Sequence, residues 1–397
     1  MLSSDGHKGG ALDAAEASHR FAYIDCMRAM AALLVIALHG GELARHLKHA
    51  AVDAWLLTPV FAIDFGRAGV ILFFAISGFV IPNSLRKGDD PANFPIRRFF
   101  RLYPAYWLSI LTALYALWWH LDRVPTIMQI VANCTMLQSF LGYEDIEGLY
   151  WTLAVELAFY ALCYALFRAG LIVNGLVMGG ISLACAVAWY VFFTSRAGPF
   201  NSLYPVLPNF ISDSGIEWFA YFSIMFFGAT CRMMLAGTSA KLTILLVCIV
   251  GIFWLVVFPL TGIYRYHHGE AQQFILMKYG AYALALYAFV IFGFWMRIRS
   301  RVLAYLGTIS YSLYLFHPTV AHVLLQAHKM WTPDLVITSV MFVAVLMAAT
   351  ILVSAGVYRY VEAPAIELGR QICRRRDLNR AALSPKLASS LHKRRAG

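Results

Sequence analysis

Arg28, inside the first apolar stretch of this chain, Phe21 to Leu38, and His39, which follows that stretch at once, are the residues there best equipped for chemistry, and they stand eleven positions apart. An arginine is a permanent cation that grips phosphate or a polarised carbonyl, whereas a histidine takes up and returns a proton near neutral pH. On a helix, eleven steps of about 100° return to within about 20° of the starting direction, so both side chains share one face, roughly 16 Å apart along the axis. An arginine inside a bilayer costs at least ~2.5 kcal/mol, which favours a polar cavity over lipid. A second reading fits the spacing equally: Arg28 snorkels to the inner headgroups and His39 marks the outer boundary.

The element carrying this pair must be a membrane helix. The chain has 397 residues, of which 60% are hydrophobic and only 13% charged, with a mean hydropathy of +0.66. That is too little polar surface to clothe a soluble globule of this length. Apolar runs recur at 21–40, 56–82, 103–120, 150–167, 171–193, 216–235, 242–260, 273–296, 302–325 and 334–358. Each approaches the ~20 residues of a spanning helix, which predicts an all-α bundle of about ten transmembrane helices. Thr126 to Phe140 is shorter and more polar, and is expected as an interfacial or re-entrant segment.

Basic residues orient the bundle, because loops rich in Lys and Arg stay in the cytoplasm. Arg86, Lys87, Arg97, Arg98 and Arg101 follow the second run, Arg232 and Lys241 the sixth, Arg297, Arg299 and Arg301 the eighth, and Arg370 and Arg374 to Arg376 the tenth. With ten crossings they share one side, both termini are cytoplasmic, and His39 lies near the outer surface. Arg45 and Lys48 are the main exception. The net charge of +11 is thus topological, and a nucleic-acid partner is not expected.

One membrane domain is expected over 21–364, between a cytoplasmic segment at 1–20 and a basic, disordered cytoplasmic tail at 365–397 beside anionic lipid. Residues 1–20 lack the apolar core of a cleavable signal. Six of the seven cysteines fall in or beside apolar runs, with Cys134 alone assigned to an outer loop, which argues against a disulfide framework. No CxxC or HExxH pattern suggests a metal.

Six stretches in order resemble the membrane acyltransferase-3 family. Ile24-Asp25-Cys26-Met27-Arg28-Ala29-Met30-Ala31-Ala32 opens an Arg-x10-His spacing closed by His39. Gly69 to Phe79 is similar to the second-helix signature, Arg97 to Trp107 to the Arg-x-x-Arg motif, and Trp151 to Tyr160 to the fourth-helix motif. Leu306 to Pro318 and Tyr358 to Pro364 complete a resemblance that covers residues 23 to 364. At Ile71 the family often has an acidic residue, so no role is carried over to that position. Some members carry a fused extracytoplasmic hydrolase-like domain, and none is expected here.

The resemblance implies a multi-pass enzyme of the bacterial inner membrane. It would take an acyl group, commonly acetyl from cytoplasmic acetyl-CoA, and place it on a hydroxyl of a carbohydrate such as exopolysaccharide or O-antigen at the outer face. His39 is then the expected general base. Glu156, about five residues into a helix entering from outside, would orient the imidazole or simply be a helix-start acid favoured by the dipole. Arg28, Arg98 and Arg101 suit the phosphates and carbonyl of acyl-CoA, and topological anchoring also accounts for the latter two.

Accessory candidates are His317, a second-choice base or a buried hydrogen-bonded ring, together with Ser77, Tyr311 and Trp151. Ser77, Ser310 and Ser312 could accept the acyl group covalently, yet small hydroxyl residues in membrane helices commonly serve close packing, and direct transfer is expected. Tyr150 and Trp151 sit where an acceptor ring could stack. The alternative function is a transporter or flippase of a lipid-linked saccharide that uses Arg28 and Glu156 as coupling residues.

Overall fold

The computed structural model describes residues 5–44, 47, 63–85, 90–118, 124–195, 213–237, 240–267, 273–332, 335 and 337–395. Among these, every regular element is helical. In chain order they are α1 (Asp5–Ala44), α2 (Phe65–Val80), α3 (Asn93–Trp118), α4 (Ile127–Cys134), α5 (Trp151–Arg168), α6 (Gly175–Ser195) and α7 (Asp213–Leu235). Then follow α8 (Lys241–Ile252), α9 (Phe258–His267), α10 (Gln273–Val290), α11 (Arg301–Thr308), α12 (Ser310–Trp331), α13 (Ser339–Val357) and α14 (Ala363–Arg395). Single π-helical turns join α8 to α9 and α13 to α14, so each pair runs on as one rod.

Among the described residues seven helices are long and apolar enough to cross a membrane, and α2 is a shorter apolar helix of 16 residues. The chain is a multi-pass membrane protein. Two of the ten expected crossings, α3 with 26 residues and α12 with 22, have the length. They are more polar because they carry the arginines, tyrosines and histidines described below. The segment expected to be interfacial or re-entrant holds α4, whose 8 residues rise only about 12 Å and cannot cross.

The ends of the chain differ from expectation. α1 starts at Asp5, inside the segment read as a separate N-terminal piece. The tail read as disordered is helical to Arg395. It is held against α3 by Asn93, which donates to Asp377 at 2.8 Å, and α14 docks where Gly369 meets Phe100. An amphipathic period is not needed to order a helix that a neighbour pins.

Backbone approaches at glycines set the close packing. Any Cβ on Gly78 of α2 would strike the Met225 carbonyl of α7, and one on Gly228 would strike the Ala75 carbonyl in return. Gly307 of α11 lies in the same way against the Asp25 carbonyl of α1. Small residues at such crossings let helices in lipid gain contact that apolar attraction alone does not supply. α1 therefore sits in the middle, packed on α2, α11, α12 and α13.

The basic clusters gather at one end. Arg297 lies over the Tyr23 ring at 5.2 Å, Arg232 over Phe79 at 5.2 Å, Arg98 donates to Ser84 at 3.0 Å, and Arg376 pairs with Asp90 at 3.4 Å. Arg45, Lys48, Arg86 and Lys87 lie outside the described residues. All seven cysteines are free thiols, and Cys134 closes α4.

Candidate active site

Two cavities follow one another along α1, α5 and α12. The first, nearer the basic end, is lined by Arg28 from α1, Ser77 from α2, Arg98 and Arg101 from α3, Glu156 and Tyr160 from α5, and Ser310, Tyr311 and Tyr314 from α12. The second is lined by His39, Glu42 and Leu43 of α1, by Glu147, Gly148 and Leu149 just before α5, and by Pro318, Ala321 and His322 of α12. Along α1 and α12 the residues of the first cavity precede those of the second, and along the antiparallel α5 they follow them, so the cavities are stacked rather than side by side.

The first cavity concentrates cations. Arg98 is held by Ser84 and by the rings of Phe94 and Tyr160, at 5.2 and 5.1 Å, and its Nε has no hydrogen-bond partner. Arg28 pairs with Asp25 one turn earlier, at 3.7 Å. Three guanidiniums around one cavity suit a ligand bearing several negative charges, and their forked donors match phosphate. Among the described residues no group of three or more His, Cys, Asp or Glu is placed to hold a metal ion.

Glu156 belongs to this cavity rather than to His39. Its Oε1 accepts hydrogen bonds from Ser77 Oγ at 3.2 Å and from Tyr160 Oη, one turn along α5. The i,i+4 spacing of Glu156 and Tyr160 was readable in the sequence, but their place in one cavity with Arg98 was not. Ser77 is tied to Glu156. Tyr311 donates to the Leu102 carbonyl at 2.9 Å and so pins α12 to α3. Ser312 donates to the buried Glu362.

What meets the imidazole of His39 is His317. Their Nδ1 and Nε2 atoms are 2.8 Å apart, with ring planes within 7°. His317 Nδ1 in turn lies 2.8 Å from the Tyr314 carbonyl. A carbonyl only accepts, so Nδ1 of His317 carries a proton, and in the neutral ring Nε2 is the acceptor. His39 must then donate from Nδ1, which leaves its Nε2 with the free lone pair. The sequence prepares this arrangement. Pro318 has no N–H to give to the carbonyl four residues back, which is that of Tyr314, and His317 takes the vacated place.

One layer separates the cavities. Tyr314 Oη lies 2.9 Å from Thr152 Oγ1 and donates to the Leu149 carbonyl at 3.3 Å, with the Phe73 ring edge-on at 6.0 Å. Sequence reasoning missed Tyr314, Thr152, Tyr160 and Glu147. Apart from the i,i+4 spacing of Tyr160 from Glu156, none has a spacing signal that marks it as part of a site. The proposed stacking residues point elsewhere: Tyr150 is fully buried against Tyr106 and Ser109, and Trp151 packs on Tyr221 at 5.4 Å. Ile71 is buried core.

Comparison with known proteins agrees with the motifs. A family profile described as an acyltransferase domain matches residues 21–359. Nodulation protein 10 of Rhizobium leguminosarum bv. viciae is 28% identical over 206 residues, 45% of this chain and 54% of that protein, so the match spans about half of its length. A candidate acetyltransferase, ORF330, of Acidianus two-tailed virus is 25% identical over 254 residues, 64% of this chain and 72% of its own. No solved structure matches the chain. With the ordered motifs and the profile covering most of its length, the chain belongs to the membrane acyltransferase-3 family.

Proposed function

We propose that this protein is an O-acyltransferase of the bacterial inner membrane that moves an acyl group, most simply acetyl, from cytoplasmic acyl-CoA to a hydroxyl of a carbohydrate acceptor at the outer face. One observation carries the reading: an arginine-lined cavity and a histidine-bearing cavity lie end to end with a single tyrosine layer between them. Such a pair of chambers suits a charged donor entering from one side and a neutral alcohol from the other. Ten crossings with both termini cytoplasmic put the basic end inside.

In this reading Arg28, Arg98 and Arg101 bind the phosphates of the donor, Glu156 balances their charge, and the pantetheine arm carries the thioester past the Tyr314 layer toward His39. The acceptor hydroxyl gives its proton to His39 Nε2 as its oxygen attacks the carbonyl carbon. The new C–O ester bond forms, the C–S bond breaks, and the thiolate of coenzyme A takes up the proton. His317 holds the His39 ring and accepts from its Nδ1–H throughout, so the imidazolium that forms keeps a hydrogen-bond partner. Transfer is direct. The Ser77 hydroxyl donates to Glu156 and lies in the other cavity from His39, which supports a ternary mechanism over an intermediate on that serine.

Purified protein in liposomes, given radiolabelled acetyl-CoA and a saccharide acceptor, tests this. Label in the saccharide is expected. Saccharide crossing the bilayer without consumption of acetyl-CoA would replace the enzyme with a flippase.

A further inference from the structure

Glu147 is the buried carboxyl of the second cavity, and the transfer mechanism above makes no use of it. It sits in the connection between α4 and α5, is 8% exposed, and shares its cavity with His39. Its Oε1 accepts from Thr319 Oγ1 at 3.5 Å, two residues after His317. Asp25, Asp64, Glu217 and Asp90 pair with Arg28, Arg67, Lys278 and Arg376, whereas Glu156 and Glu362, like Glu147, accept from hydroxyls. Glu147 faces a hydroxyl. Burial pushes its carboxyl up to about 7.

The connection that presents Glu147 is built to hold it still. Asn133, fully buried at the end of α4, donates to the Gln129 and Glu144 carbonyls at 2.9 and 3.0 Å and accepts from the Ile146 amide at 3.1 Å. Gln138, also fully buried, donates from its side chain to Asp145 at 2.5 Å and receives the Tyr143 amide on its backbone carbonyl at 3.0 Å. Two buried amides thus fasten the residues on the N-terminal side of Glu147, while Gly148 on the other side adds no bulk to the cavity. A buried carboxyl held in place without a cation, in one cavity with a base, is costly to stability, and such groups mark binding sites.

We propose that Glu147 binds the acceptor: its carboxylate takes a hydrogen bond from a hydroxyl next to the one that His39 deprotonates. The second cavity then selects a vicinal diol, the pattern of a pyranoside, over a lone alcohol. Its lining supports this, since His39 Nε2 and the carboxylates of Glu147 and Glu42 are all acceptors and call for a ligand with several O–H donors. Ionised Glu147 is the better acceptor, so affinity for the diol rises with pH through about 7. The other titratable groups of the cavity and its walls are His39 and Glu42 of α1, Asp145 in the same connection, Tyr150 at the start of α5, and His322 of α12. This inference rests on the proposed transfer reaction.

The test measures acetyl transfer from labelled acetyl-CoA to a panel of methyl pyranosides, and to cis-1,2-cyclohexanediol against cyclohexanol, by the reconstituted full-length protein. For wild type, the diol is preferred and the KM of the pyranoside falls as pH rises through about 7. In Glu147→Gln, which preserves shape, that KM rises about tenfold or more, the loss of one hydrogen bond to a charged group, loses its pH dependence, and leaves the KM of acetyl-CoA unchanged. An active Glu147→Gln with wild-type pyranoside KM and pH profile overturns the assignment while the transfer reaction stands. A wild type that hydrolyses acetyl-CoA but acylates no hydroxyl overturns the transfer reaction itself. Should Glu147→Gln fail to fold, a wild-type pyranoside KM that is flat from pH 6 to 8 is sufficient to reject the role of the carboxylate.

Discussion

His39 and His317 meet at 2.8 Å, Nδ1 to Nε2, with nearly parallel rings, and this contact makes one histidine the base and the other its support. Removing His39 removes the proton acceptor itself. His39→Ala is expected to lower kcat by about 10²- to 10⁴-fold with the KM of acyl-CoA unchanged. His317→Ala removes one hydrogen bond of ~1 kcal/mol and should cost about fivefold to tenfold. Acylation rates of purified variants decide the order, and a larger loss for His317→Ala would exchange the two roles.

Pro318 leaves the Tyr314 carbonyl to His317. Pro318→Ala would restore a helical N–H that competes for that carbonyl and loosens the His317 proton from Nδ1. The expected result is a kcat lower by about fivefold, ~1 kcal/mol, without a change in either KM. The same variant at kcat equal to wild type would show that the proline serves the helix and not the ring.

Tyr314 divides the two cavities through its bonds to Thr152 and Leu149. In Tyr314→Ala the partition opens, and water reaches a thioester that was kept from it. Hydrolysis of acetyl-CoA without acceptor, followed as free thiol, is expected to rise severalfold while transfer to saccharide falls. Unchanged hydrolysis would place the barrier elsewhere.

Gly307 touches the Asp25 backbone where α11 crosses α1. Gly307→Ala must push the two helices apart, at an expected cost of about 1–3 kcal/mol. Gly180 in α6 is the control, because a Cβ there meets nothing within 4 Å. Thermal unfolding in detergent should drop for Gly307→Ala and hold or rise for Gly180→Ala.

Membrane class, helix order and the Arg28–His39 face were legible in the residues, because apolar length and helical period are local properties of a chain. The His317–Pro318 dipeptide carried a further message, a carbonyl without its donor, that can be read one turn away. Glu156 shows where such reading stops. Its depth along α5 suggested His39 as its partner, but depth says nothing of azimuth, and the packed bundle turns it toward Ser77, Tyr160 and the arginines.

The tail shows the same limit in another form. Its composition has no apolar period to order it, yet contacts with α3 hold its first turns as helix.

From its own residues the chain determined which segments enter the membrane and which side chains can bind phosphate or move a proton. Only the tertiary structure decided that these side chains divide between two stacked cavities, that Tyr314 stands between them, and that Glu147 lines the same cavity as His39. Those relations join residues as far apart as 39 and 317. They depend on how helices rotate and cross when small residues let them touch, a property of the whole bundle rather than of any one span.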